Sequence, residues 1–430
     1  MIKRALTLGI LTATAIFADG PWTLEACLTQ AKKSSLKLEA ARLREQQADV
    51  SIKMAKAGNS PTVSASISNS LHDRPLADHP QDHYSLSLGI SGSMTLWDGG
   101  STNLSTEASQ LNKQAVLFNT KQVERSIQES VLNAYMNILA AQEKLHTAVA
   151  AQELAQAEFD NYQKLFEAGS ITKKTLSQAQ STILQKQVAV LQAQQQVNSY
   201  STTLKQLLEL PASDSISLQV PAHMASSPDS LEAIPSLDQI QADAINANPA
   251  LKADSISILA AKKNTQVAGK GSSVTVTLGA SSSTGLQAWQ SGHYGTQLKD
   301  RWQNSISLNV NIPIIDNGST ANRVLQAQIN ESESQVNLQE TTKSLENSIE
   351  QLYLNALSAD LQWKAAALQV EADSEAVAVA KEQHDAGAIT YTDFLIQKNT
   401  LESARTTLTN AKFSSLLARK LLELYQGKLD

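Results

Sequence analysis

His72, Asp73, Asp78, His79, Asp82 and His83 crowd into one short stretch of the chain. Imidazole and carboxylate are ligands for divalent transition metals, and the His79/His83 spacing lets two rings reach one ion. The competing reading is a solvated loop between two strands, and that is the expectation here: no metal site. Cys27 is the only cysteine, so it forms no internal disulfide. Glu25 and Ala26 precede it, well past the apolar leader, which suits a half-buried helix residue better than a lipid attachment point. No nucleophile stands with an acid/base pair elsewhere. The expectation is no catalytic residue and no cofactor-binding residue.

The remaining candidates are turns, and they come in pairs. Trp97-Asp98-Gly99-Gly100-Ser101-Thr102 recurs as Ile315-Asp316-Asn317-Gly318-Ser319-Thr320. Ala168-Gly169-Ser170-Ile171-Thr172 recurs as Ala386-Gly387-Ala388-Ile389-Thr390, at the same offset of 218 residues. Thr23-Leu24-Glu25 is echoed by Ser236-Leu237-Asp238 at an offset of 213. Matched landmarks in one order mean an internal duplication. At Asp98 and Asp316 the carboxylate can cap a helix while Gly99, Gly100 and Gly318 accept a sharp change of direction. Gly169 and Gly387 let the chain reverse, and Thr172 and Thr390 can cap the returning helices.

Long helices must lie between those turns. From Ser101 to Leu210 there is no proline and the only glycine is Gly169; from Ser319 to Asp430 there are only Gly387 and Gly427. Apolar residues keep a 3.5 rhythm, as in Ile127, Val131, Ala134, Ile138, Ala141 and Leu145, which is the coiled-coil pattern. The reading gives helices at about 101–167 and 173–208, and again at about 319–385 and 391–425. The first would be about 100 Å long at ~1.5 Å per residue.

Upstream of each helical pair the period becomes two. Tyr84, Leu86, Leu88, Ile90, Gly92, Met94 and Leu96 alternate with Ser85, Ser87, Gly89, Ser91, Ser93 and Thr95. Ile306, Leu308, Val310, Ile312 and Ile314 alternate in the same way, and Val63, Ala65, Ile67 and Val274, Val276, Leu278 supply partners. Strands are expected at about 61–70, 84–96, 274–282 and 304–314, linked by polar loops Leu71 to His83 and Ser283 to Gln303. Such alternation fits a membrane barrel, with Leu86, Leu88, Leu308 and Val310 toward lipid and Ser87 and Asn309 toward water. It also fits an ordinary half-buried sheet.

A secretory start and the lack of a spanning helix favour the barrel. Residues 1–18, with Lys3, Arg4 and an apolar run, read as a secretory signal too short to span a membrane. Net charge is −6 without a basic block, so nucleic acid is not an expected partner. Aromatics are only 4%, which suits closely packed helices more than one large core. The organisation expected is a signal at 1–18, a first repeat at 19–210, a proline-bearing linker at 211–235 and a second repeat at 236–430.

Four strands cannot close a barrel, and an open edge in lipid is costly. Two copies would give eight strands, whose interior side chains fill; three would give twelve and a passage. The expected fold is therefore mainly α with a membrane β-barrel portion. A trimeric twelve-stranded barrel would continue into a twelve-helix coiled-coil tunnel.

These residues resemble the TolC-like outer-membrane efflux proteins over essentially the whole mature length. The resemblance is carried by the Leu96-Trp97-Asp98-Gly99-Gly100 and Pro313-Ile314-Ile315-Asp316-Asn317-Gly318 junctions, the two Ala-Gly-x-Ile-Thr turns and the opening Leu24-Glu25-Ala26 helix. It implies a homotrimer in outer-membrane lipid of a Gram-negative bacterium, with the tunnel in the periplasm. It implies docking of a periplasmic adaptor (membrane fusion protein) and an inner-membrane pump of RND, ABC or MFS type. The tips, with Gly169, Ile171, Thr172, Gly387, Ile389 and Thr390, would meet the adaptor. Asp393 matches a mouth-lining acidic position of the family. Ile396 departs from the next one, and the first repeat has Thr175 at the place of Asp393. Asp393 either faces the lumen or serves as an acid at a helix N-terminus. A periplasmic coiled-coil adaptor is the rival reading, but it calls for one hairpin set in β domains. An envelope enzyme would need a catalytic cluster.

Overall fold

Gly169 and Gly387 divide the two glycine- and proline-poor stretches into four long helices. In the computed structural model these are α3 (Ser101–Glu167), α4 (Lys173–Leu207), α8 (Ser319–Asp385) and α9 (Tyr391–Tyr425). The shorter helices are α1 (Leu24–Ser34), α2 (Leu36–Lys56), α5 (Leu237–Ala247), α6 (Pro249–Gly269) and α7 (Tyr294–Asp300). The structure describes residues 21–72, 83–220, 227–287 and 293–428. The expected signal at 1–18 and the loop carrying His79 lie outside them.

Four strands form one antiparallel sheet in the order β1-β2-β3-β4: β1 (Thr62–His72), β2 (His83–Trp97), β3 (Thr275–Gln287) and β4 (Gln303–Asn311). Register places like with like. Ile67 lies opposite Leu88, Met94 opposite Leu278, and Leu278 opposite Leu308. The other face carries hydroxyl pairs that bond across strands: Thr62–Ser93 (3.0 Å), Ser64–Ser91 (3.1 Å), Ser70–Ser85 (2.6 Å) and Ser281–Ser305 (2.8 Å). On the apolar face Val63, Ile67, Ile90 and Ile306 are exposed in the single chain. Soluble sheets bury such a face.

Three details depart from strict alternation. A bulge between Thr95 and Trp97 makes Leu96 the extra residue, so Trp97, not Leu96, lies opposite Val276 and completes the apolar row. β4 stops at Asn311 rather than about 314, just before Pro313, which has no N–H for a ladder. β3 runs to Gln287 because α7 packs on it: the Thr284 hydroxyl donates to the Leu298 carbonyl, and Gln287 N donates to Gln297 Oε1 at 2.9 Å.

The chain divides into two compact units that cut across the repeats, each taking matching pieces from both copies. One comprises residues 36–125, 236–351 and 423–430 and holds the sheet. In it Lys113 of α3 pairs with Asp49 of α2 (2.7 Å), and Lys263 of α6 with Glu107 of α3 (2.6 Å). Thr265 of α6 donates to Glu331 of α8 (3.1 Å). The helices thus form a row α2–α3–α6–α8. Its two outer members carry exposed apolar residues: Leu36, Leu43, Val50 and Met54 on α2, and Leu325, Ile329 and Val336 on α8.

The other unit comprises residues 1–35, 126–235 and 352–422. Trp363, Ala366, Ala411 and Leu416 form one of its cores. Beside that core Arg419 clasps Asp360, its Nη2 at 2.6 Å, while its Nη1 donates to the Glu232 carbonyl (2.7 Å) and the buried Ser415 hydroxyl donates to Asp360 (2.6 Å). The clasp ties α9 to α8 and to the segment between the repeats. Arg419→Met should cost about 3–5 kcal/mol, because it strands a mostly buried carboxylate. Urea unfolding checks this, and a loss under about 1 kcal/mol, as for an exposed pair, would mean that water replaces the guanidinium.

Candidate conduit and hairpin tips

The strand-to-helix junctions are built as their residue types require. Asp98 accepts from Gly100 N (3.0 Å) and Thr102 N (2.7 Å), and from the Thr102 hydroxyl (2.6 Å). Asp316 accepts from Gly318 N (3.1 Å) and Thr320 N (2.9 Å). Gly99, Gly100 and Gly318 all have positive φ. Burial pushes the Asp98 carboxyl up, but the Thr102 and Gly100 hydrogen bonds push harder, and the net shift is downward.

At the tips each first helix ends on a left-handed glycine, Gly169 (φ 71°) and Gly387 (φ 74°). Ser170 N donates to the Leu165 carbonyl and Ala388 N to the Gln383 carbonyl, both at 2.8 Å, which satisfies the last turn. The caps of the returning helices differ. Thr172 accepts from Thr175 N (3.3 Å). Thr390 accepts from Asp393 N (3.2 Å) and returns its own N–H (3.2 Å) and hydroxyl (2.7 Å) to the Asp393 carboxylate, a reciprocal capping box. These Thr390 hydrogen bonds, the hydroxyl's foremost, hold the exposed Asp393 carboxyl below the usual carboxylate range. The contribution of that cap is present at neutral pH and fades only as pH falls through this lowered value.

A small core stands behind the tips: Tyr162, Ala179, Ala380, Tyr391 and Phe394, with Ile171 and Ile389 packed against it. The two isoleucines thus point toward the core, while Gly169, Thr172, Gly387 and Thr390 stay exposed. Tyr162 and Tyr391 meet edge to face at 4.9 Å, and His384 stacks on Phe394 at 5.4 Å. Burial raises both tyrosine hydroxyls above their ordinary pKa. Two ion pairs join the hairpins, Lys398 of α9 with Glu158 of α3 (2.6 Å) and Lys186 of α4 with Glu402 of α9. Sequence reading missed both, since the partners lie 240 and 216 positions apart with no local pattern to link them. Among the described residues no helix is long and apolar enough to cross a membrane, and no three His, Cys, Asp or Glu side chains converge as a metal set.

The family model described as "Outer membrane efflux protein" matches residues 27–209 and 241–428. The chain belongs to the outer membrane efflux protein family. The outer membrane efflux protein BepC of Brucella suis is 23% identical over 98% of this chain and 88% of its own length. Outer membrane protein TolC of Escherichia coli is 25% identical over 38% of this chain and 36% of its own length. The Campylobacter jejuni CmeC outer membrane channel superposes with a TM-score of 0.76 at 19% identity, covering 94% of this chain and 85% of that one. The fold of this efflux protein is that of the TolC-like channels, a strand portion continued by long helices. It is an outer-membrane channel component of an efflux or secretion system, with its helical part in the periplasm.

Proposed function

We propose that three copies of this efflux protein close one conduit, conducting substrates passively from a periplasmic pump complex to the exterior without catalysis. One observation carries the reading: the sheet has two open edges, β1 and β4, and the helical row in the same unit ends at α2 and α8. α2 leads into β1, and β4 leads into α8. A head-to-tail contact can therefore join β4 and α8 of one copy to β1 and α2 of the next, covering both apolar stripes. Such heterologous contacts give a ring when the rotation between copies closes, and a sheet that must leave no edge in lipid requires that closure. Twelve strands is the smallest ring of this kind that leaves a bore.

On this reading Asp393 lines the periplasmic mouth, once per copy. The exposed faces of Gly169, Thr172, Gly387 and Thr390 dock a periplasmic adaptor, which recruits a pump of RND, ABC or MFS type. The detergent-solubilised protein should be a stable trimer by native mass measurement. Leu43→Asp on α2 should weaken it, by setting a charge into the covered stripe. A folded wild-type monomer would sink the shared barrel.

A further inference from the structure

We propose that the groove between α8 and α9 around Asp373 binds small organic ammonium ions, a solute class held there in passage. Asp373 is a carboxylate in an apolar seam: Val370, Asp373, Val377 and Ala380 continue the 3.5 rhythm of α8 toward the tip. Its counterpart in the first repeat, 218 positions earlier, is the buried Ala155. Asp373 Oδ1 accepts from Gln369 Nε2 (2.8 Å), but Oδ2 is buried and has no hydrogen-bond partner. Among the described residues no cation pairs with it either. Lys398, Lys186 and Lys364 of the same unit are held by Glu158, Glu402 and Asp229. A seam carboxylate with one idle oxygen is costly unless something compensates its charge.

The compensating charge must enter by the groove. Asp373 is half-buried and lines it, so a cation there reaches the carboxylate. Asn399, Thr400 and Ser403 add neutral oxygens to the lining, and Ala366, Ile396 and Ala404 add methyl groups. The groove's volume, ≈ 550 Å³, is many times the roughly 30 Å³ of a water molecule. One carboxylate is too few for a hard metal ion, which takes about six or more oxygens. An alkylammonium fits: its three N–H bonds need acceptors, and its chain needs apolar surface. The groove also shares a helix face with the mouth acid. Asp393, Ile396, Thr400, Ser403 and Thr407 follow one another at steps of three and four, all exposed. The groove therefore faces wherever Asp393 faces. On the proposed reading that is the lumen, with Thr400 and Ser403 roughly 10–15 Å above Asp393 along the helix. An amine drawn in by Asp393 would meet Asp373 next.

The inference rests on Asp393 lining a conduit, so the experiment must separate the two. Single channels are recorded in the Asp393→Asn background, which removes the mouth charge, with n-butylammonium, 1-butanol or Mg²⁺ on the periplasmic side. Butylammonium should interrupt the current, and 1-butanol at the same concentration should not. Asp373→Ala installs the residue of the first repeat and should weaken that block about tenfold or more, as for the loss of one charge-assisted hydrogen bond. Should that variant not fold, Ser403→Phe, on the exposed face of α9, fills the groove and should weaken the block equally. Equal block with and without the Asp373 carboxylate overturns the site and leaves the conduit standing; a carboxylate that serves only packing gives that result. Block by Mg²⁺ that disappears with Asp373→Ala assigns the groove to a metal ion and overturns the amine. Absence of any conducting channel in the wild type overturns both.

Discussion

Ile90→Arg will destabilise this channel by about 2–4 kcal/mol per protomer, whereas Ser87→Arg, three residues away, will cost close to nothing. Ile90 lies on the apolar face opposite Ala65, midway along β2, and is 57% exposed in the single chain. Surrounded by lipid, an arginine there must drag its charge into hydrocarbon or distort the bilayer around it. Ser87 lies opposite Ser68 and Gly285 on the hydroxyl-bearing face, where water solvates the same charge. Reversible urea titration of folding into vesicles reads the difference directly. Equal costs at the two positions would show that the sheet has no lipid face, and the barrel reading would fall with it.

That contrast was legible in the sequence because a strand's side chains alternate strictly, and serine against leucine is an unmistakable alternation. The helices were legible for a related reason. Glycine and proline are the residues a helix tolerates least, and this chain keeps them out of α3, α4, α8 and α9 while placing Gly169 and Gly387 at the turns. What escaped is whatever depends on a partner distant in sequence. The bulge at Leu96 is set by pairing with β3, so alternation alone assigned Leu96 the row that Trp97 occupies. The extension of β3 to Gln287 depends on hydrogen bonds from α7. The Arg419–Asp360 clasp and the Glu158–Lys398 pair join residues of ordinary type at ordinary helical positions. The candidate site divides the same way: Thr390 was visible as a cap and Asp393 as an acid at the helix start, but their reciprocal hydrogen bonds and the inward packing of Ile171 and Ile389 were not.

Asp393→Asn should abolish block by polyvalent cations and weaken cation preference, without loosening the tip. Three copies would bring three Asp393 carboxylates to the narrow end of the tunnel, and like charges in a constriction favour cations. The first repeat adds none, since Thr175 takes the equivalent place. Two effects bear on their charge. The Thr390 hydrogen bonds lower the pKa, and repulsion among the three carboxylates would raise it. The first is present in each copy before assembly, so the mouth should stay ionised at neutral pH. Block should then fade as pH falls toward the carboxylate range. Asparagine is the informative replacement because its amide oxygen still accepts from Thr390, which preserves the capping box while removing the charge. Single-channel recording with and without a trivalent cation, in wild type and variant, makes the measurement. If Asp393 instead points away from the lumen, both proteins will conduct and block alike, and the mouth must be closed by packing of the tip core, not by charge.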